Sequence, residues 1–445
     1  MQVHSDTGLT ADQTANSNSE SPMNPRELLV ASFKAAVDGA DPGLIVPTHL
    51  PALPKGRTIV VGAGKAAASM ALAVEQHWPS DAPLEGLVIT RYQHGLPTQR
   101  IKVIEAGHPV PDEKGERAAR DILQLVRDAS PDDLVLVLVS GGGSSLLALP
   151  ADGVTADDLK ATTRELLRCG APIQDMNAVR KHLSAIQGGR LAALCRAEVV
   201  ALIVSDVTGD DPTHIASGPC APDPTTYRDA LDIVRRWQVK VPSRILEYLE
   251  GGARGEIPET PKPGDPVFTR VENRVIATAQ QSLLAAAEFF QRHKVRPVIL
   301  GDSVTGEASE VAKVYAALAR QIERYGSPFE TPVALISGGE CTVTVRGKGR
   351  GGRCAEFLLW LGLELNGQAR TWALACDTDG IDGSEDNAGA VLAPTALADA
   401  RAAGLDPQRL ARNNDAYSFF QVLGDLVVTG PTRTNVNDYR VILIQ

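Results

Sequence analysis

Lys65 closes the stretch Gly62-Ala63-Gly64-Lys65, directly after an apolar run at 58–61 and directly before an alanine-rich segment of helical character. Paired glycines at the mouth of a helix let backbone amides approach an anion, and a lysine there adds a full positive charge. The spacing also matches the loose dinucleotide pattern G-x-G-x-x-G/A, with Ala67 in the last position. Two chemistries therefore compete for the same residues. One is nicotinamide binding; the other is the holding of a substrate carboxylate or a moving phosphoryl group.

Further loops of related character follow other apolar runs. Ser140, Gly141, Gly142, Gly143, Ser144 and Ser145 come after the run 134–139 and suit phosphate or carboxylate binding through amides and hydroxyls. No G-x-S-x-G elbow supplies an acyl-transfer nucleophile. "SDVTGDD" offers Asp206, Asp210 and Asp211, and "CDTDGIDGSED" offers Asp377, Asp379 and Asp382. Asp206, Asp377 and Asp379 are candidates for Mg²⁺ or for proton transfer, because that ion keeps most of its water and takes one or two protein carboxylates. Aspartate and glycine are also ordinary turn residues. A calcium EF-hand does not fit, since Ile381 stands where an oxygen ligand belongs.

A fourth segment, "VRGKGRGGRCAEF", places Arg346, Lys348, Arg350 and Arg353 around glycines just before a helix. Arg353, behind Gly351 and Gly352, is the best placed for an anion, and the other three read as solvated or mobile. In "MNAVRKHLSAIQGGRLA", Asn177, Arg180 and Lys181 share one helical face region, ordinarily a solvated one, and His182 reads as structural. Asp415 and Asn435 suit turn caps.

The nicotinamide reading needs an acidic residue at the end of the second strand to hold the ribose, and there the chain has Thr90 and Arg91, with Glu85 at the wrong end. Arg91 would suit only an NADP phosphate. That reading leaves the other loops without work. Phosphoryl transfer uses all of them, because it needs positioning and charge neutralisation more than covalent chemistry. Neither a Walker loop nor the protein-kinase motif set is present.

Loops of this kind need strands to carry them. Short β-branched runs at 58–61, 86–90, 102–105, 134–140, 199–205, 297–301, 333–337, 342–345, 371–375 and 441–444 alternate with helical stretches. Those stretches lie at 25–37, 66–77, 114–128, 156–169, 177–185, 226–237, 273–293, 309–325 and 355–365. The alternation predicts an α/β protein with mainly parallel sheets, each half with a sheet of its own. In such sheets ligands bind outside the carboxyl ends of the strands. "EGGARGEIPETPKPGDPVF" reads as an interdomain linker, which predicts a tail at 1–24, a first domain at 25–265 and a second at 266–445.

Composition narrows the partners. A net charge of −10 over 445 residues disfavours a nucleic-acid backbone, and no apolar run reaches the length of a membrane span. The first residues lack the apolar core and basic head of a signal peptide. Six scattered cysteines without a C-x-x-C pair read as reduced thiols of a cytoplasmic protein. Homodimerisation is left open.

The motifs, taken in order, resemble the glycerate kinases that end in a MOFRL domain. The resemblance runs from about residue 25 to 444 and rests on "VVGAGKAAASMA", "SGGGSSLL", "MNAVRKHLSAIQGGRLA", "SDVTGDDPTHIASGP", "GDSVTGEASEVA", "SGGECTVTVRGKGRGGR", "DTDGIDG" and "GDLVVTGPTRTNVNDYRVILI". It implies ATP- and Mg²⁺-dependent phosphorylation of D-glycerate, commonly giving 2-phosphoglycerate, in a cleft between two α/β/α domains, the first Rossmann-like with a mainly parallel sheet and the second with a mixed sheet. The family's active-site lysine falls on Lys65, and the arginine of its Gly-Gly-Arg motif falls on Arg353. Asp206 joins them as a candidate catalytic group. Members have also been labelled hydroxypyruvate reductases, which is the alternative activity. Cys354 and Ala355 depart from the asparagine and polar residue usual after Gly-Gly-Arg, and Arg433 stands where glycine is usual.

Overall fold

The computed structural model describes residues 23–445. The expected tail lies outside the described residues but for its last two positions.

Six strands form the first sheet: β1 (Thr58–Ala63), β2 (Leu84–Arg91), β3 (Ile101–Ala106), β4 (Leu134–Val139), β5 (Glu198–Val204) and β6 (Val271–Ala277). Their order is β3-β2-β1-β4-β5-β6 and every pair is parallel. Strands β1 and β4 are buried along their whole length, as near-continuous apolar runs covered by helices on both faces should be. The order reverses between β1 and β4, so a crevice opens there at the carboxyl edge.

The second sheet is mixed. It contains β7 (Arg296–Gly301), β9 (Val333–Ser337), β11 (Thr371–Asp377), β12 (Gly389–Leu392), β13 (Leu426–Val427) and β14 (Asp438–Ile444), in the order β13-β12-β11-β14-β9-β7. Only β7 and β9 run parallel. A separate ribbon pairs β8 (Gly306–Glu307) with β10 (Cys341–Thr342). The strand expected at 342–345 is thus only its first residue with Cys341. Beyond it the Thr344 amide and hydroxyl bond to the Glu307 carboxylate, which draws the chain off the ribbon.

Two boundaries differ from the sequence reading. Residues 271–277 form the edge strand of the first sheet instead of the start of a long helix. Thr278 caps the following helix Ala279–Arg292, with Gln281 closing the capping box. Helix Pro25–Asp38 packs on the second sheet, burying Leu28, Leu29, Phe33 and Ala36 against Phe290, Ile336, Leu374 and Tyr439. The first lobe therefore spans roughly 42–277, and the second is built from both chain ends. The glycine- and proline-rich stretch at 250–268, expected as the interdomain linker, precedes β6 of the first sheet and so lies within the first lobe. It begins in helix Ser243–Ala253 and is tied to the first lobe where Thr260 donates to Asp223 at 3.1 Å.

Candidate active site

The loops after β1 and β4 interlock. The Lys65 amide donates to the Gly141 carbonyl at 2.8 Å, and the Ala66 amide donates to Ser140 Oγ at 3.0 Å. A Cβ on Gly64 would lie 2.0 Å from Ser140 Oγ, and one on Gly62 equally close to the Leu138 carbonyl oxygen, so both glycines serve close strand approach. This packing fixes the Lys65 backbone at the crevice and sends its side chain toward the second lobe. There Nζ meets Asp379 Oδ2 at 2.6 Å, with the lysine side chain 15% and the aspartate 2% exposed.

Asp379 leads on to Arg353. The Asp379 amide donates to Asp377 Oδ1 at 3.0 Å, and Asp377 Oδ2 accepts from an Arg353 terminal nitrogen at 2.7 Å. Arg353 Nε donates to Asp438 Oδ1 at 2.8 Å, and its other terminal nitrogen reaches Glu340 at 3.0 Å. Asp377 ends β11, Asp438 begins its antiparallel neighbour β14, and Glu340 follows β9, so one sheet edge supplies all three carboxylates. Lys65 and Arg353 are thus joined in one site through the three-residue segment Asp377–Asp379.

Asp206, just past β5, completes the group. A Cβ on Gly141 would come within 2.3 Å of Asp206 Oδ2 and 2.4 Å of Asn435 Nδ2, which places both side chains over the glycine loop. Asn437 of the second lobe donates to the Asp206 carbonyl at 2.8 Å. The Asp206 carboxylate forms no ion pair among the described residues, and only its own backbone amide bonds to it.

The charges explain the titration of the cluster. Two cations, Lys65 and Arg353, face Asp206, Asp377, Asp379, Asp438 and Glu340. Burial alone would lower Lys65, but Asp379, Asp377 and Asp206 outweigh it and raise its pKa. Against the upward push of burial, the Lys65 ammonium and the Ile381 amide hold Asp379 below the usual carboxylate range. Burial and the neighbouring Asp379 charge push Asp377 up. Burial brings Asp206 to about 6, with Lys65 pulling down and Glu340 adding to the rise. Two imidazoles stand beside Lys65. His94 Nδ1 lies 3.4 Å from the Lys65 carbonyl oxygen, and a Cβ on Gly142 would meet His108 Nε2. Burial, then Arg91 for His94 and Lys65 for His108, lowers each to about 4, so both are neutral at pH 7.

With this geometry in place, known proteins give the context. The model of a domain of unknown function, DUF4147, matches residues 28–250, and the MOFRL family model matches 333–438. The chain is 48% identical to a putative hydroxypyruvate reductase of Agrobacterium vitis over 95% of both chains. It is 39% identical to the glycerate 2-kinase of Pyrococcus horikoshii over 88% of both. The crystal structure of glycerate kinase from Thermotoga maritima matches with a TM-score of 0.84 at 35% identity, covering 94% of this chain and 99% of that one. The chain belongs to the MOFRL glycerate kinase family.

Several expectations for this MOFRL kinase chain are revised by the contacts. The amides at the start of helix Arg353–Leu365 do not await a ligand, because the Asp382 carboxylate accepts from Cys354 N at 3.0 Å and Ala355 N at 2.8 Å. Gly351 and Gly352 pack against Tyr417 and Asp382 and serve that cap. Arg346, Lys348 and Arg350 have exposed side chains, as expected, while the amides at 346–350 donate to Asn413, Asn414 and Asp415. Ser144 Oγ lies 2.9 Å from Ser217 Oγ, and Ser144 and Ser145 line a small pocket with Lys160 and Arg180. The solvated face expected for Asn177 and Lys181 is instead buried. Lys181, 1% exposed, donates to Thr213 at 2.7 Å and faces Asp223, and Asn177 accepts from Ser217.

Mg²⁺ was expected at Asp206, Asp377 and Asp379. Both oxygens of Asp377 and of Asp379 are already engaged, by Arg353, Lys65 and the amides of Asp379 and Ile381. No group of three or more His, Cys, Asp or Glu among the described residues could hold a metal ion. Of the three carboxylates expected to meet Mg²⁺, Asp377 and Asp379 are taken by protein donors, and Asp206 alone stands outside an ion pair among the described residues.

Glu340, Asp438, His94 and His108 escaped the sequence reading. The histidines follow β2 and β3, so their signal was position at the carboxyl edge of a parallel sheet.

Proposed function

We propose that this protein phosphorylates D-glycerate with ATP at the 2-hydroxyl, giving 2-phosphoglycerate and ADP. The observation that carries this reading is the convergence of Lys65 and Arg353, one from each lobe, on a cleft walled by glycine-loop amides. Membership of the glycerate kinase family supports it. The glycerate carboxylate takes Lys65 from Asp379, and the amides at 140–145 share its charge. Asp206, whose carboxylate forms no ion pair and has a pKa of about 6, accepts the proton of the 2-hydroxyl as the hydroxyl oxygen attacks the γ-phosphorus. Arg353 sits against the transferring group and neutralises its equatorial oxygens, a role in which arginines contribute about 10³–10⁵ in rate. Magnesium enters as part of the nucleotide substrate, shielding phosphate charge. Six free thiols accord with a cytoplasmic location, and no helix among the described residues is long and apolar enough to cross a membrane.

The reductase name carried by the Agrobacterium relative has one structural counterpart, since the strand order of the first sheet is that of dinucleotide-binding folds. Against it, β2 ends on Arg91 with no acid for a ribose, and Lys65 stands in the glycine turn. The test is ADP release with purified enzyme, ATP and D-glycerate, with the product position resolved by phosphorus NMR. Oxidation of NADPH by hydroxypyruvate in the absence of ATP, without ADP release from glycerate, would overturn the kinase.

A further inference from the structure

His108 is a half-buried side chain on an anchored loop. The loop joins β3 to helix Glu113–Arg127. Asp112 caps that helix through the Gly115 amide at 2.9 Å and accepts from the Tyr92 hydroxyl at 2.7 Å. A Cβ on Gly107 would lie 2.6 Å from the Val110 carbonyl oxygen, so the chain folds tightly back on itself here. The backbone is thus fixed, yet among the described residues neither ring nitrogen of His108 takes part in a hydrogen bond or an ion pair.

The ring faces the reaction centre. A Cβ on Gly142 would lie 2.8 Å from His108 Nε2 and 3.5 Å from Lys65 Cγ, so the imidazole stands over the glycine loop beside the lysine. One residue earlier, Gly141 lies under Asp206 Oδ2 and Asn435 Nδ2. Consecutive Cα atoms are about 3.8 Å apart, so a molecule of a few atoms can touch both the carboxylate and the imidazole. Burial, Lys65 and Arg91 keep the ring uncharged at pH 7. A neutral imidazole offers one N–H and one lone pair, which match a hydroxyl better than a carboxylate or a phosphate. Glycerate has three polar groups. Lys65 meets the carboxylate and Asp206 the 2-hydroxyl, which leaves the 3-hydroxyl.

We propose that His108 binds the 3-hydroxyl of glycerate and so sets the preference for this acid over one that ends in a methyl group. The proposal rests on the kinase reading and adds a specificity-determining contact to it.

The test uses the full-length enzyme, its His108→Ala and His108→Gln variants, and D-lactate, which is D-glycerate without the 3-hydroxyl. Affinity for each acid is measured by calorimetry, alongside the KM for D-glycerate and for ATP. The wild type should bind D-lactate at least tenfold more weakly than D-glycerate, because the methyl group leaves a polar group of the site unpaired. His108→Ala should weaken D-glycerate binding and raise its KM at least tenfold, while D-lactate affinity falls less than threefold. His108→Gln keeps a donor and an acceptor and should recover part of the discrimination. The KM for ATP should stay within twofold. Equal losses on both acids in His108→Ala would mark a structural role and overturn the contact, as would a rise confined to the KM for ATP. Equal affinity of the wild type for the two acids would overturn it without any variant, so the test stands even if His108→Ala fails to fold. A wild type that releases ADP with D-glycerate yet does not distinguish the acids sinks the contact alone. A wild type that distinguishes the acids but releases no ADP with D-glycerate sinks the kinase reading.

Discussion

Asp206 is a carboxylate whose surroundings set it near neutrality, and this gives the reaction a pH signature. As the proposed base it must be unprotonated, so kcat/KM should rise with pH through a midpoint near 6 and level off above it. Asp206→Asn should remove that limb and lower kcat by roughly 10²–10⁴. A limb that survives in the variant would assign it elsewhere. His94 gives a second pH dependence, of stability instead of rate. Its ring is buried, and its pKa falls from 6.5 to about 4. Between those values the unfolded chain takes up a proton that the folded one refuses. The contribution is full above pH 6.5 and is lost as pH falls through the window, on the order of 3 kcal/mol in all. Urea midpoints measured from pH 7 to 4 should therefore slope less steeply in His94→Gln, and parallel slopes would refute the assignment.

At the scale of elements, the site depends on how two helices and two loops are anchored. Asp382 holds the first turn of the helix that begins with Arg353. Asp382→Ala leaves buried amides unpaired and should cost about 2–3 kcal/mol in urea denaturation, with a fall in kcat because Arg353 loses its seat. Elements of this kind were partly legible. Short β-branched runs located nine of the strands, and the loops after them the edge at which Lys65, Ser140, Asp206 and Asp377 gather, because that signal is local. The cap was hidden since Asp382 lies 28 residues from Cys354, and no local pattern marks such a partner. Strand β6 was hidden by the alanine-rich helix behind it. Arg433 is instructive in the other direction. The resemblance placed glycine there, and the structure shows φ of +62° with Asn435 and Asn437 close behind at the site. A backbone conformation that glycine adopts freely explains the family habit. Lys181 and Asn177 looked solvated because a polar trio on a helix usually is, whereas their partners come from residues 213–223.

Across the whole molecule, the lobes meet through a few polar contacts. Besides Lys65–Asp379, Ser69 donates to the Arg433 carbonyl at 2.6 Å and Thr434 to the Ala40 carbonyl at 2.6 Å. Substrate must exchange the ion pair for its own carboxylate, so Asp379→Asn should loosen the lobes and raise hydrogen exchange at 430–438 without unfolding either core. Helix Pro25–Asp38 matters more. Burying Leu28, Leu29 and Phe33 is worth roughly 5–8 kcal/mol, comparable to the whole stability of a domain. Deleting residues up to 38 should abolish the second lobe's thermal transition or drive the chain into aggregates; retention of a native transition would show the helix to be dispensable. The same lobe places its final strand, β14, between β11 and β9 at the centre of the sheet. During translation, helix Pro25–Asp38 therefore leaves the ribosome about 400 residues ahead of β14, and through that interval its greasy side is uncovered and invites a chaperone.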